Sequence, residues 1–134
     1  MLLVKTHLKK SLIPKAETGL FASEFIPKGM MVWKFEPGKD FRFSREEFAN
    51  MSANKKAHVK KYAYAKQDSP TITLPSDDAI YTNHSYDPNT YGESDDVSFA
   101  LRDIMPGEEI TEDYTKYDDG EFCSSFLNRN SKVA

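Results

Sequence analysis

The stretch Tyr81-Thr82-Asn83-His84-Ser85-Tyr86-Asp87-Pro88-Asn89 gathers amide, imidazole, hydroxyl and carboxylate groups into nine positions. Short polar side chains of this kind bond to nearby backbone, and Pro88 fixes a turn among them. His84 has no Cys pair and no His-x-x-x-His spacing around it, so a structural hydrogen-bonding role is favoured over metal ligation and no metal is expected. A second run, Gly107-Glu108-Glu109-Ile110-Thr111-Glu112-Asp113-Tyr114, ends in a tyrosine that composition alone would place in a strand core. Cys123, the single cysteine, has no identifiable base partner in the sequence, which argues against a thiol nucleophile.

The elements that must hold these residues read as short strands around a helical insert. Leu2–Leu8, Gly19–Ile26 and Met30–Phe35 are rich in strand formers and broken by turns, as is Val97–Ile104. Two segments share the pattern F-A-x-x-x-I-x-x-G, Phe21 to Gly29 and Phe99 to Gly107. In the first, Pro27 is expected at the second position of an Ile26–Gly29 turn; in the second, Pro106-Gly107 favours a type II turn. Between them, Ser44-Arg45-Glu46-Glu47 is a capping box, and Phe48, Met51, Val59 and Tyr62 form an interrupted apolar face. One broken helix or two short ones are expected up to about Lys66, stopped by Asp68-Ser69-Pro70, with a short strand at Thr71–Leu74. No low-complexity linker divides the chain, so residues 1–134 read as one domain, mainly β, with the insert at about 40–70.

With 134 residues, 39% hydrophobic and 29% charged, the composition is that of a globular domain rather than a disordered chain. One cysteine excludes a disulfide framework or a cysteine-rich zinc module. The apolar run Met1–Val4 is too short for a signal peptide, and no run approaches the ~18 residues of a membrane span. An intracellular protein is expected, cytoplasmic or associated with nucleoid or nucleus. Residues 1–67 carry 14 Lys/Arg against 6 Asp/Glu, and residues 68–134 carry 4 against 15. The acidic half suits a cationic partner such as a Lys/Arg-rich peptide, unless these charges only solvate the surface. Lys55, Lys56, Lys60 and Lys61 form a modest basic footprint without interleaved aromatics, which suits nucleic acid only as an accessory contact.

Asn83-His84-Ser85-x-x-Pro88-Asn89, followed by Gly107-Glu108-Glu109-Ile110-Thr111-x-Asp113-Tyr114, resembles the two signature motifs of SET-domain protein lysine methyltransferases. Thr18-Gly19-Leu20-Phe21-Ala22 with Ile26-Pro27-Lys28-Gly29 is similar to the family's first glycine motif. The three elements occur in order and bracket about residues 3–117, leaving 118–134 as a tail. The resemblance implies a mainly β SET fold, β-clip-like, in which the C-terminal segment threads under a loop in a knot-like core. It implies S-adenosyl-L-methionine as cofactor on one face and a lysine entering a channel from the other. Asn83 and His84 would hold the methionine portion, and Thr18, Gly19 and Leu20 would add backbone contacts. Tyr114 would be the catalytic tyrosine that orients the amine, with Tyr81 and Glu112 lining the substrate channel. Phe122 or Phe126 would pack on adenine, unless the tail anchors elsewhere on the core.

The chain departs from the family pattern at four positions. Glu17 replaces a glycine of the first motif, Ile80 a common arginine, Tyr86 a cysteine and Glu112 a channel aromatic. Two functions are therefore expected to compete: methyl transfer to a lysine in a basic segment of a histone, histone-like or ribosomal protein, and a SET-fold module that binds cofactor or peptide without turnover. A chain of this size could also pair with a second copy to cover an exposed strand edge.

Overall fold

The two F-A-x-x-x-I-x-x-G segments clasp each other. In the computed structural model, which describes residues 1–14, 16–66 and 69–117, Ile26 and Ile104 exchange both backbone hydrogen bonds, at 2.9 and 2.8 Å. The backbone bonds around them come in matched pairs. Gly29 N–H donates to the Ala100 carbonyl as Gly107 N–H donates to that of Ala22, both at 2.8 Å. Ala100 N–H donates to Met30 as Ala22 N–H donates to Glu108, both at 2.9 Å. The units are thus related by a local two-fold, and the sequence repeat is a structural repeat. Each ends in a turn with glycine at its third position, Gly29 at φ +84° and Gly107 at φ +89°. A left-handed residue there suits a type II turn and strains any side chain. The Met105–Glu108 turn is the expected one; the first turn spans Pro27–Met30, one residue later than expected, closed by Met30 N–H on the Pro27 carbonyl at 3.1 Å.

In chain order the described residues form β1 (Thr6–Lys10), β2 (Thr18–Ala22), β3 (Met31–Lys34), β4 (Phe41–Ser44), α1 (Arg45–Ala49), α2 (Ala53–Tyr62), β5 (Thr71–Leu74), β6 (Asn83–His84), β7 (Thr90–Gly92), β8 (Val97–Ala100) and β9 (Thr111–Glu112). Single 3₁₀ turns occupy Asp78–Tyr81 and Tyr114–Tyr117. The strands make several small sheets: β1 with β2, β4 with β5, the order β3-β8-β7, all antiparallel, and a short parallel pair of β6 with β9. The expected mainly β framework with an inserted helical segment is what forms. No helix among the described residues is long and apolar enough to cross a membrane.

Two apolar cores follow from this division. Leu20, Ala22, Ile26, Val32, Ile104 and Ile110 fill the framework core, and Phe48, Val59, Ala63, Ala65, Ile72 and Leu74 the insert. In the insert Ser44 caps α1 as expected: its hydroxyl accepts from Glu47 N–H at 3.0 Å while its own N–H donates to the Glu47 carboxylate at 2.9 Å. The second helix has its own cap, Ser52, and ends at Tyr62 rather than near Lys66. The reason is tertiary: Tyr64 and Thr73 exchange backbone hydrogen bonds at 2.9 Å, drawing the chain into an extended path with Ala63 and Ala65 buried on either side.

Candidate functional site

The parallel pair β6–β9 brings the two polar motifs together, with Asn83 opposite Thr111 and His84 opposite Glu112. Two residues are too short a ladder to hold by themselves, and Asn89 extends it. Its side-chain oxygen accepts from Thr111 N–H at 2.9 Å and its amide donates to the Glu109 carbonyl at 2.8 Å, so a buried side chain stands in for a third strand. The Thr90 hydroxyl adds a bond to the Thr111 carbonyl at 2.8 Å. Buried polar side chains persist only when so satisfied.

Glu109 ties this junction to the first motif. Its carboxylate accepts from the Ser11 hydroxyl at 2.7 Å, Leu12 N–H at 2.8 Å and the Asn83 amide at 3.2 Å. Asn83 also donates to the Thr18 carbonyl at 2.9 Å. Both amide hydrogens are therefore committed to acceptors, which fixes the flip and leaves the amide oxygen for a ligand. A Cβ on Gly19 would lie 2.6 Å from the Glu109 carboxylate, so glycine is required there to seat that side chain.

Residues 80–83, where the 3₁₀ turn passes into β6, separate two hollows in the surface. Tyr81 and Asn83 face an open groove of about 550 Å3, with Thr18, Glu17, Lys61 and Tyr62 around it. Its size falls within the ~300–1,000 Å3 common for small-molecule sites. Thr82 faces the other way, into a narrow, mostly apolar cavity of about 70 Å3 shared with Trp33, Tyr64, Ile110, Glu112 and Tyr114. Ile80 and Tyr62 border both hollows and form the partition between them.

Within the cavity the buried Tyr114 donates its hydroxyl to the Thr82 carbonyl through a short hydrogen bond. The Ser98 hydroxyl donates to the Glu112 carboxylate at 3.3 Å. Tyr64 gives its hydroxyl to the Asp95 carbonyl at 2.7 Å; burial, reinforced by Glu112 and Asp95, holds its pKa far above that of a free phenol. His84 turns its ring toward the second motif, with Nδ1 accepting from Tyr114 N–H at 3.0 Å. Burial lowers its pKa, opposed by Asp113 at 3.8 Å, so the ring is neutral with its proton on Nε2, a buried atom with no partner among the described residues.

The expected site residues thus separate. Thr18, Tyr81 and Asn83 meet at the groove; Leu20, Glu112 and Tyr114 meet at the cavity. Tyr81, at the end of the 3₁₀ turn before β6, lines the groove with Asn83 rather than the cavity with Glu112. Gly19 lies within the β1–β2 ladder opposite Lys9, and the Leu20 carbonyl accepts from Ile110 N–H at 2.8 Å, so their backbone serves the framework. His84 lines neither hollow. Phe122 and Phe126 lie outside the described residues. Sequence reasoning assigned no role to Glu109, Asn89 or Tyr64; the first two sit inside the motifs, where their acceptor and amide chemistry was the available signal. The groove fits S-adenosylmethionine in volume and in donor set: an amide oxygen free to accept, an anion and a cation at its rim, and an aromatic wall.

No curated protein sequence matches the chain. Solved structures do match its fold. Polycomb Repressive Complex 2 from Chaetomium thermophilum, in an autoinhibited conformation bound to S-adenosylmethionine, superposes at a TM-score of 0.69 with 21% identity, over 96% of this chain and 17% of the other. The same complex bound to GSK126 gives 0.67 and 22% identity, over 97% and 17%. A Plasmodium falciparum candidate histone methyltransferase gives 0.58 and 23%, over 84% of this chain and 95% of its own. The chain spans about one sixth of the Polycomb chains it matches. The family model of the SET domain matches residues 17–115, a span that holds every residue lining the groove together with Glu112 and Tyr114 of the cavity, and the chain belongs to the SET-domain family.

Proposed function

We propose that this protein transfers a methyl group from S-adenosylmethionine to a lysine side chain of a basic protein segment. The observation that supports this most directly is the two-sided site: a groove of cofactor size and a narrow apolar cavity lie back to back, divided by residues 80–83, with the Tyr114 hydroxyl on the Thr82 carbonyl. When bound, S-adenosylmethionine supplies a methyl group on a positively charged sulfur, already activated for displacement.

The protein's share is to deliver a neutral, oriented amine. Free lysine has a pKa near 10.4, and an apolar cavity disfavours the ammonium form, so its proton leaves to solvent before transfer. Because the Thr82 carbonyl engages the Tyr114 hydroxyl proton, the tyrosine oxygen offers lone pairs to an amine N–H. The nitrogen lone pair is then left for the methyl carbon, and alignment of this kind contributes several kcal/mol to lowering a barrier. Exposed Glu93 adjoins cavity-lining Ser94, which suits a lysine set among other cations.

One observation favours a binding module without turnover: the Glu112 carboxylate in the cavity would stabilise the ammonium and oppose its deprotonation. Calorimetry with S-adenosylmethionine, followed by labelled-methyl transfer to core histones and ribosomal proteins, separates the two. Cofactor binding with label in lysine supports the enzyme; binding with no label supports a cofactor-binding module; no cofactor binding by the folded protein rejects the enzyme and leaves a module that binds peptide alone.

A further inference from the structure

Two opposite charges face the groove, and neither belongs to the motifs. Glu17 precedes Thr18 and β2, and Lys61 comes from the last turn of α2. Both are exposed, and among the described residues neither has an ion-pair partner within 4 Å. Lys61 is held near the rim by its neighbour, with Nζ 5.2 Å from the centre of the Tyr62 ring. Asn83 lines the same groove, and no described donor occupies its amide oxygen.

We infer that Glu17 and Lys61 form a receptor for the zwitterionic amino-acid head of S-adenosylmethionine, Glu17 with Asn83 taking the α-ammonium and Lys61 the α-carboxylate. This rests on the reading of the groove as the cofactor site and adds its polarity. An amino-acid head carries one cation and one anion a few ångströms apart, and the groove offers the reverse pair. Asn83 donates its amide N–H to the carbonyl of Thr18, the chain neighbour of Glu17, and its remaining oxygen is an acceptor, so an N–H donor suits the pair Glu17 and Asn83. The arrangement gives a reason for a carboxylate at position 17, where the family carries glycine, and for the cation to come from α2 when position 80 is Ile80.

The test is calorimetry on the full chain with two ligands, S-adenosylhomocysteine and 5′-methylthioadenosine, which lacks the amino-acid head. Lys61→Gln and Glu17→Gln should each weaken S-adenosylhomocysteine by about 5–10-fold, as loss of a charge-assisted contact at a half-open site does. Both should leave methylthioadenosine unchanged, and Lys61→Arg should retain most of the affinity. Both residues are exposed, so melting curves should match wild type. Unchanged S-adenosylhomocysteine affinity in both variants overturns the inference while leaving the cofactor site in place, and so does equal weakening of both ligands. A folded wild type that binds neither ligand rejects the cofactor site, and this inference with it.

Discussion

Asn83 and Glu109 share a hydrogen bond of 3.2 Å that joins the two polar motifs of the chain, 26 residues apart, at the wall of the groove. The Glu109 carboxylate has three donors, from Ser11, Leu12 and Asn83, and no cation within 4 Å among the described residues. It is a positioning residue: it holds the amide that faces the ligand.

Glu109→Gln tests that relationship. An amide in place of the carboxylate turns a donor toward donors, leaving at least one polar group unsatisfied at a cost of about 1–3 kcal/mol. For a domain of this size the melting temperature should fall by about 5–10 °C. Cofactor affinity should fall with it, since Asn83 loses an anchor. An unchanged melting curve would remove Glu109 from the framework of the site.

Tyr114→Phe removes the hydroxyl on the Thr82 carbonyl and little else. Methyl transfer should drop by about 100-fold or more, because only the oriented amine is lost. Affinity for S-adenosylmethionine, read by calorimetry, should stay within about twofold, since Tyr114 lines the cavity and not the groove. Parallel loss of both would show that Tyr114 acts through the fold.

What could be read in the sequence was whatever a local pattern encodes. The Ser44 capping box needs only four residues and forms as written. The three motifs mark out the chain segments that build the site. The end of α2 was not legible, because Tyr64 pairs with Thr73 across the insert and that contact overrides a continuing helical pattern. The side taken by Tyr81 was missed for a related reason. Tyr81 ends a 3₁₀ turn whose placement beside β6 depends on the β6–β9 pairing, and only that placement decides which side chains share a face. The mutual clasp of the two repeated units likewise depends on pairing across 78 residues, which neither unit states alone.

His84 gives the fold a pH dependence of definite sign. Burial holds its folded pKa below the unfolded value of about 6.5, so the unfolded chain binds the proton more readily. The stability it contributes is complete above about pH 6.5 and is lost as pH falls from there toward the folded value, by at most about 1.4 kcal/mol per pH unit. Protonation at Nδ1 also removes the acceptor for Tyr114 N–H. The melting temperature should therefore decline from pH 7.5 to 5.5. In His84→Asn, which keeps an acceptor near Nδ1, that decline should be smaller; an identical slope would assign the titration to another group.

Glu112→Gln separates charge from shape in the cavity. The carboxylate favours an ammonium beside it, so its removal should lower the pKa of a bound lysine by about one unit. The pH–rate profile of methyl transfer should shift to lower pH by a similar amount, with higher turnover at pH 7. A profile that does not move would mean that Glu112, held by Ser98 at 3.3 Å, points its charge away from the substrate.

The local two-fold makes a quantitative demand on the glycines that end its two arms. Gly29 and Gly107 have φ values of +84° and +89°, and a Cβ at either would meet nothing within 4 Å. Substitution by alanine therefore costs backbone strain alone, about 1–2 kcal/mol, and the same amount at both positions. Gly19→Ala is the contrast: the added methyl has to displace the Glu109 carboxylate at 2.6 Å, so the cost falls on the junction of the motifs. In thermal melts the first two variants should lose similar stability and keep cofactor affinity. The third should lose affinity for S-adenosylmethionine as well, because Asn83 is held through Glu109. Unequal losses at Gly29 and Gly107 would show that the symmetry of the hydrogen bonds is not a symmetry of energies. Unaltered affinity in Gly19→Ala would show that the Glu109 side chain can yield without disturbing Asn83.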